Sequence, residues 1–191
     1  MLKRLPSQPD SFSVFDRHSG KIVCVVKDFD LAAGSLISYF VPSRGARRFV
    51  KNVKILDVPL SVARSDIFLL HHVLELCHYF LPACNISTET FDLVMHLYTS
   101  AKKLTTLLTK KIFLFKLLVS FGFYSDHAPF SLTTFSRISS ESIDSLVSSS
   151  LHLEIERNID KWLLLCVGAH PQFANFKTVQ FLKKIGCYET I

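Results

Sequence analysis

The sequence predicts an α+β chain in which a small antiparallel β unit precedes a larger all-helical domain. Three observations lead there. Residues 12–56 hold short runs of β-branched and aromatic residues punctuated by Gly, Pro and Ser, the pattern of strands and turns. After Pro59 apolar residues recur at intervals of three and four, the spacing of a helix with one buried face. Up to Lys54, ten Lys and Arg stand against four Asp, whereas twelve basic and twelve acidic residues balance from Ile55 onward, so the formal +6 belongs to the β part. The expected division is a basic β domain at residues 1–57 and a helical domain at residues 58–191.

Four strands are expected. FSVFD is followed by the turn Arg17-His18-Ser19-Gly20, in which Gly20 can take the positive φ that other residues resist. KIVCVVKDF is a second strand, with Lys21 and Lys27 near its ends. LISYFV is a third, and Pro42-Ser43-Arg44-Gly45 turns the chain into a fourth, RRFVKNVKIL. Pairing the last two places Arg44, Arg47 and Arg48 at or near a hairpin tip.

The helical part begins with Ile67, Leu70, Val73, Leu74, Cys77 and Leu81 at helical spacing, closed by Pro82. Ser87 or Thr88 caps a second helix, and a third runs from about Thr105 to a stop at Gly122. SDHAPFSLTTFSRISSES is aperiodic and rich in Ser and Thr, and is expected to be a loop. A short helix in SSESIDSLVSSS, a longer one in HLEIERNIDKWLLLCVGAH and a last one from Asn175 to Gly186 bring the expected number to six.

Composition narrows the function. With 49% hydrophobic and 20% charged residues, the chain suits a packed core, and most of its seventeen Phe are expected inside it. The longest apolar run, Ile112 to Tyr124, falls short of the ~20 residues that span a bilayer, so no membrane partner is expected. MLKRLPSQPDSF has no apolar stretch and does not read as a secretory signal. Five scattered cysteines suit free thiols in a reducing compartment, and the cytoplasm is the expected location.

No motif for catalysis stands out. Phosphate loop, nucleophile elbow and His-Glu-x-x-His are all missing, and the chain is not expected to be an enzyme or to need a cofactor. His71, Glu75 and His78 share one helical face, with His72 and Cys77 beside them; a hydrolase or metal site there is the weakest of the hypotheses, because no fourth ligand is evident and no metal is expected. The basic residues are more informative. Lys21, Lys27, Arg44, Arg47, Arg48, Lys51 and Lys54, interleaved with Phe29, Tyr39, Phe40 and Phe49, supply cations for phosphates and rings for bases, the materials of a single-strand nucleic-acid surface. Lys102, Lys103, Lys110 and Lys111 would extend such a patch.

Several segments, in order, resemble one family. VFDRHSGKIVCVVK (14–27) resembles the strand-turn-strand that opens RecO, the bacterial recombination mediator. RRFVKNVKILD (47–57) is similar to the end of that family's OB-fold, and LELCHYFLP (74–82) with ETFDLVMHLY (89–98) to its first central helices. FKLLVSFGFYSD (115–126) resembles its Leu-Leu-x-x-Leu-Gly-Phe segment, and FKTVQFLKKI (176–185) its closing Lys-Ser-x-x-x-Leu helix. The resemblance implies an OB-like β unit, DNA repair and recombination, and no catalysis. It implies binding and annealing of single-stranded DNA, binding of duplex DNA, and partnership with single-strand-binding protein and RecR to load RecA at the bacterial nucleoid. Arg17, Lys21 and Lys27 fall on matching motif positions; Arg44, Arg47, Arg48, Lys51 and Lys54 rest on charge alone.

Two departures are expected. MLKRLPSQPD is too short and polar to supply the family's first strand, so a truncated, incomplete barrel is expected. Residues 124–150 contain no cysteine, so the family's four-cysteine zinc site is not expected. The alternative to a DNA mediator is a helical protein-interaction adaptor whose degenerate OB-fold has little DNA affinity.

Overall fold

A computed structural model describes residues 3–5, 8–25, 31–42, 48–100, 104–124 and 129–179. The fold is α+β, and the chain divides into two compact units, Met1–Tyr98 and Thr99–Ile191. The change from strands to helices near residue 58 is therefore not where the first unit ends, because two helices belong with the sheet.

The first unit begins with β1 (Lys3–Leu5), β2 (Gln8–Asp16) and β3 (Gly20–Val25), an antiparallel meander. β4 (Leu36–Phe40) pairs antiparallel with β6 (Lys51–Asp57), and β5 (Arg48–Phe49) pairs with β3 in parallel. Only Val50 separates β5 from β6, so residues 48–57 form one run shared by two sheets. Counted that way, five strand positions follow the order 1-2-3-5-4 across the two sheets.

This corrects the expectation that nothing precedes Phe12. The first strand exists because ladder hydrogen bonds come from the backbone, which a polar sequence carries as well as an apolar one. Its register slips between Arg4 and Leu5, whose partners are Phe12 and Gln8, at the place where Pro9 lacks a ladder donor. The parallel β3·β5 pair also departs from the purely antiparallel unit expected.

Alternation fills the interior. Phe12, Val14, Ile22, Cys24, Leu31 and Val50 are buried together, and Ile37, Tyr39, Val41 and Val53 pack against them. Val50 and Val53 both face inward although three residues apart, which a period of two forbids. Asn52, at φ 52°, supplies the extra residue of a bulge, and Asn tolerates that left-handed conformation better than most side chains.

α1 (Leu60–Phe80) bends at Asp66, whose backbone is extended. The Asp66 carboxylate accepts the Leu69 N–H at 2.9 Å and so caps a fresh helical start. α2 (Thr88–Ser100) is capped by Ser87, whose hydroxyl accepts the Thr90 N–H. Both helices are fastened to the strands. Phe91 meets Phe15 edge to face at 5.4 Å, and the Tyr98 hydroxyl donates to the Gly34 carbonyl. The start of β3 is held by the α1–α2 connection, where the Cys84 N–H donates to the Lys21 carbonyl at 2.8 Å. Gly20, at φ 69°, lies so close to that connection that a Cβ would stand 2.0 Å from the Asn85 carbonyl oxygen.

The second unit contains α3 (Leu107–Ser120), α4 (Leu132–Ser140), α5 (Ile143–Ser148) and α6 (His152–Gly168). α3 ends as expected at Gly122, φ 94°: the Gly122 N–H donates to Val119 and the Phe123 N–H to Leu118, the paired bonds of a Schellman stop. α4 replaces the expected loop. Ser131 caps it, Thr134, Phe135 and Ile138 are its buried face, and Ser139 and Ser140 return their hydroxyls to carbonyls four residues back. Phe115 is central, with ring contacts to Phe130, Phe135 and Trp162, the last at 4.3 Å. Residues 177–179 are helical, but Asn175, expected to cap the last helix, closes a 3-10 turn over Phe173–Asn175 instead, and residues 180–186 lie outside the described residues.

Candidate nucleic-acid interface

The basic residues singled out by the sequence divide into three groups. Lys27, Arg44 and Arg47 lie outside the described residues, as do Phe29, Lys102 and Lys103. Arg48 is placed through its backbone in β5, opposite Cys24. The remaining four sit at two places on the first unit, and the structure gives them different work.

Arg17 and Lys21 are at the hairpin end of β2 and β3. The Arg17 guanidinium reaches both carboxylate oxygens of Asp92 at 3.1 Å, in a pair about half exposed. Lys21 is half-buried, and its ammonium donates to the His78 carbonyl at 2.7 Å near the end of α1. Burial pulls its pKa below the usual lysine range, with the nearby Cys77 acting weakly in the other direction. Cationic groups anchored in this way fasten helices to the sheet. Lys21 also stands three residues before Cys24, the partner of Arg48, which is roughly 10 Å along a strand.

Lys51 and Lys54 are different. Both are exposed on β6, and among the described residues neither is ion-paired. Lys51 is the register partner of Phe40, and Lys54 of Ser38. Because Ile37, Tyr39 and Val41 face the interior, Ser38 and Phe40 face outward. Phe40 is 58% exposed and Phe49, two residues before Lys51, is 47% exposed. One outer surface thus carries two phenylalanine rings and two lysines, with the Arg48 backbone beside them.

Tyr39 does not join that surface. Its hydroxyl donates to the Asp16 carboxylate at 2.7 Å, and the His18 and Ser19 amides donate to the other carboxylate oxygen. Burial alone would raise the Asp16 pKa, but these hydrogen bonds outweigh it and hold the carboxyl below its ordinary value. Sequence pattern did not reveal the exposed apolar residues Val23, Ile55 and Leu56 on the same strands. The alternation Ile22–Val23–Cys24, with its neighbours buried, is the one signal that Val23 faces out.

Acidic residues brought in by α1 and α2 change the charge map. The first compact unit holds eleven basic and nine acidic residues, and the second eleven and seven, so the excess is +2 in one and +4 in the other. The positive character at the strands is a matter of where the acids sit: Asp92 covers Arg17, and β6 holds only Asp57, at its far end. Lys111, considered as an extension of the patch, is instead buried and bonded to Asp160 at 2.7 Å.

His71 is exposed, and His72 is buried, its pKa pushed down to about 3 by burial. Among the described residues no group of three His, Cys, Asp or Glu is placed to hold a metal ion. No helix of the described residues is long and apolar enough to cross a membrane. In comparisons with protein-family models, curated proteins and solved structures, nothing matches this chain.

Proposed function

We propose that this chain is a DNA-binding mediator of recombination and repair resembling RecO. In this reading it binds and anneals single-stranded DNA in the bacterial cytoplasm, at the nucleoid, and assists recombinase loading with single-strand-binding protein and RecR. The observation that carries it is the pair of solvent-facing lysines, Lys51 and Lys54, on a strand whose outer neighbours include exposed aromatic rings. Lysines so placed neutralise phosphates without first breaking an internal ion pair. The β unit with five strand positions and the order of family-like segments along the chain also support it.

Fluorescent single-stranded DNA titrated at several salt concentrations tests the proposal. Binding should weaken steeply with salt, because each neutralised phosphate releases counterions. Lys51→Glu with Lys54→Glu should weaken binding on every sequence and flatten the salt slope by about 1.5, at ~0.7 per phosphate on a single strand. Absence of binding at low salt would reject the DNA half of the proposal. The adaptor reading would then stand in its place, favoured by the exposed Leu56 near the end of β6 and the exposed Leu60, Ile67 and Phe68 of α1.

A further inference from the structure

The outer face around Lys51 has a geometry that bears on which form of nucleic acid it takes. Phe40 lies opposite Lys51 in the β4·β6 register, and Phe49 lies two residues before Lys51 on the same run. Phe40 and Phe49 are thus diagonal neighbours, about 7–8 Å apart at the backbone as on antiparallel strands generally. Each has an inward neighbour packed in the interior, Val41 and Val50 respectively, which fixes the outward direction of the ring. Single exposed apolar residues are ordinary on protein surfaces. Two phenylalanines on either side of a lysine that is unpaired among the described residues form a unit that a phosphate-only binder does not need.

We infer that Phe40 and Phe49 are base-stacking platforms, and that they make this face select unpaired bases of a single strand over duplex DNA. The inference rests on the nucleic-acid reading of the same site and adds the residues that set its preference. In a duplex the base faces are covered by their neighbours at about 3.4 Å per step, so only edges and phosphates are presented. A protein ring engages a base face only when the base has left that stack. The backbone spacing of the two residues is about twice the duplex step, which suits bases set apart from each other and not the consecutive members of a stacked helix. Lys51, between them, and Lys54, further along β6, are placed for the phosphates that link such bases. Stacking tolerates any base, so the preference is for strandedness and not for sequence.

The test compares oligo(dT) with a mixed-sequence duplex of the same length, by fluorescence anisotropy with the full chain at two salt concentrations. Phe40→Ala with Phe49→Ala should weaken oligo(dT) binding about fivefold or more per ring, the lower bound for lost stacking. Duplex affinity should remain within about twofold, and the salt slope should not change, because no phosphate contact is removed. Phe40→Trp with Phe49→Trp should keep the preference for oligo(dT), showing that ring faces and not the particular side chain carry it. If the unaltered chain binds DNA and the alanine pair loses both ligands equally, or loses neither, the stacking assignment is overturned while the function stands. If the unaltered chain binds neither ligand, both fall together.

Discussion

Replacing Lys111 by Met should destabilise the second unit far more than a surface lysine would. The Lys111 ammonium stands 2.7 Å from Asp160, with side chains only 6% and 11% exposed. At that distance and an effective dielectric of ~20 the attraction is about 6 kcal/mol, most of which offsets the cost of taking two ions out of water. Removing the cation takes a charge partner from a buried carboxylate, a loss of about 3–5 kcal/mol. Trp162, the one tryptophan of the chain, is buried against Phe115 and reports this unit by its fluorescence. With a urea dependence of about 2 kcal/mol per molar, the midpoint should fall by roughly 1.5–2.5 M. Lys111→Met with Asp160→Leu should recover most of the loss, because an apolar pair of similar volume has no buried charge. A single variant within about 1 kcal/mol of the unaltered chain, or a double variant whose loss is the sum of its parts, would refute the argument.

Two further outcomes follow from the first unit. Gly20→Ala should lower its stability by well over the ~1 kcal/mol of a left-handed alanine, because the new Cβ also meets the Asn85 carbonyl at 2.0 Å; a melting temperature within a degree or two of the unaltered chain would contradict that packing. His72, at about 3 when folded against 6.5 as the ordinary value, stays neutral in the native state while the unfolded chain takes up a proton below pH 6.5. Stability is lost as pH falls through that window, by about 2 kcal/mol at pH 5, and His72→Leu should flatten the dependence between pH 6.5 and 4; urea midpoints that fall with pH equally in both chains would exclude His72 as the cause.

Much of the architecture was legible because it rests on local chemistry. Gly20 and Gly122 announced a turn and a helix stop, since each occupies a φ that side chains resist. The pairing of β4 with the later part of RRFVKNVKIL is as expected, but Arg48, expected at or near a hairpin tip, and Phe49 beside it pair with β3 instead. α4 was not legible, because serines that bond back to their own helix resemble loop residues in a sequence. β1 was missed because a short edge strand is held by backbone bonds and leaves no hydrophobic pattern.

The candidate site shows the same limit. Charge counting found Lys51 and Lys54, but it also chose Lys21, and the family resemblance chose Arg17 and Lys21, which fasten helices to the sheet. No sequence spacing reveals that Asp92, 75 residues away, lies against Arg17. Tyr39 and Phe40 are neighbours in composition, yet strand alternation sends one inward to Asp16 and leaves the other in solvent. Lys111 is the reverse case, a charged residue in an apolar helix that a distant aspartate makes affordable.

The bonds at the start of β3 have a consequence for how the first unit assembles. Lys21 closes on His78, 57 residues later, and Arg17 on Asp92 still later in the chain. Such distant partners must meet before either is rewarded, so folding of this unit is expected to be slow and to wait for the synthesis of α2. A peptide ending near residue 57 would lack the backbone that covers the β2–β3 turn and would expose Phe15 without Phe91. The smallest fragment of the first unit expected to fold by itself is therefore set by Tyr98 and its bond to Gly34, and not by the residue at which strands give way to helices.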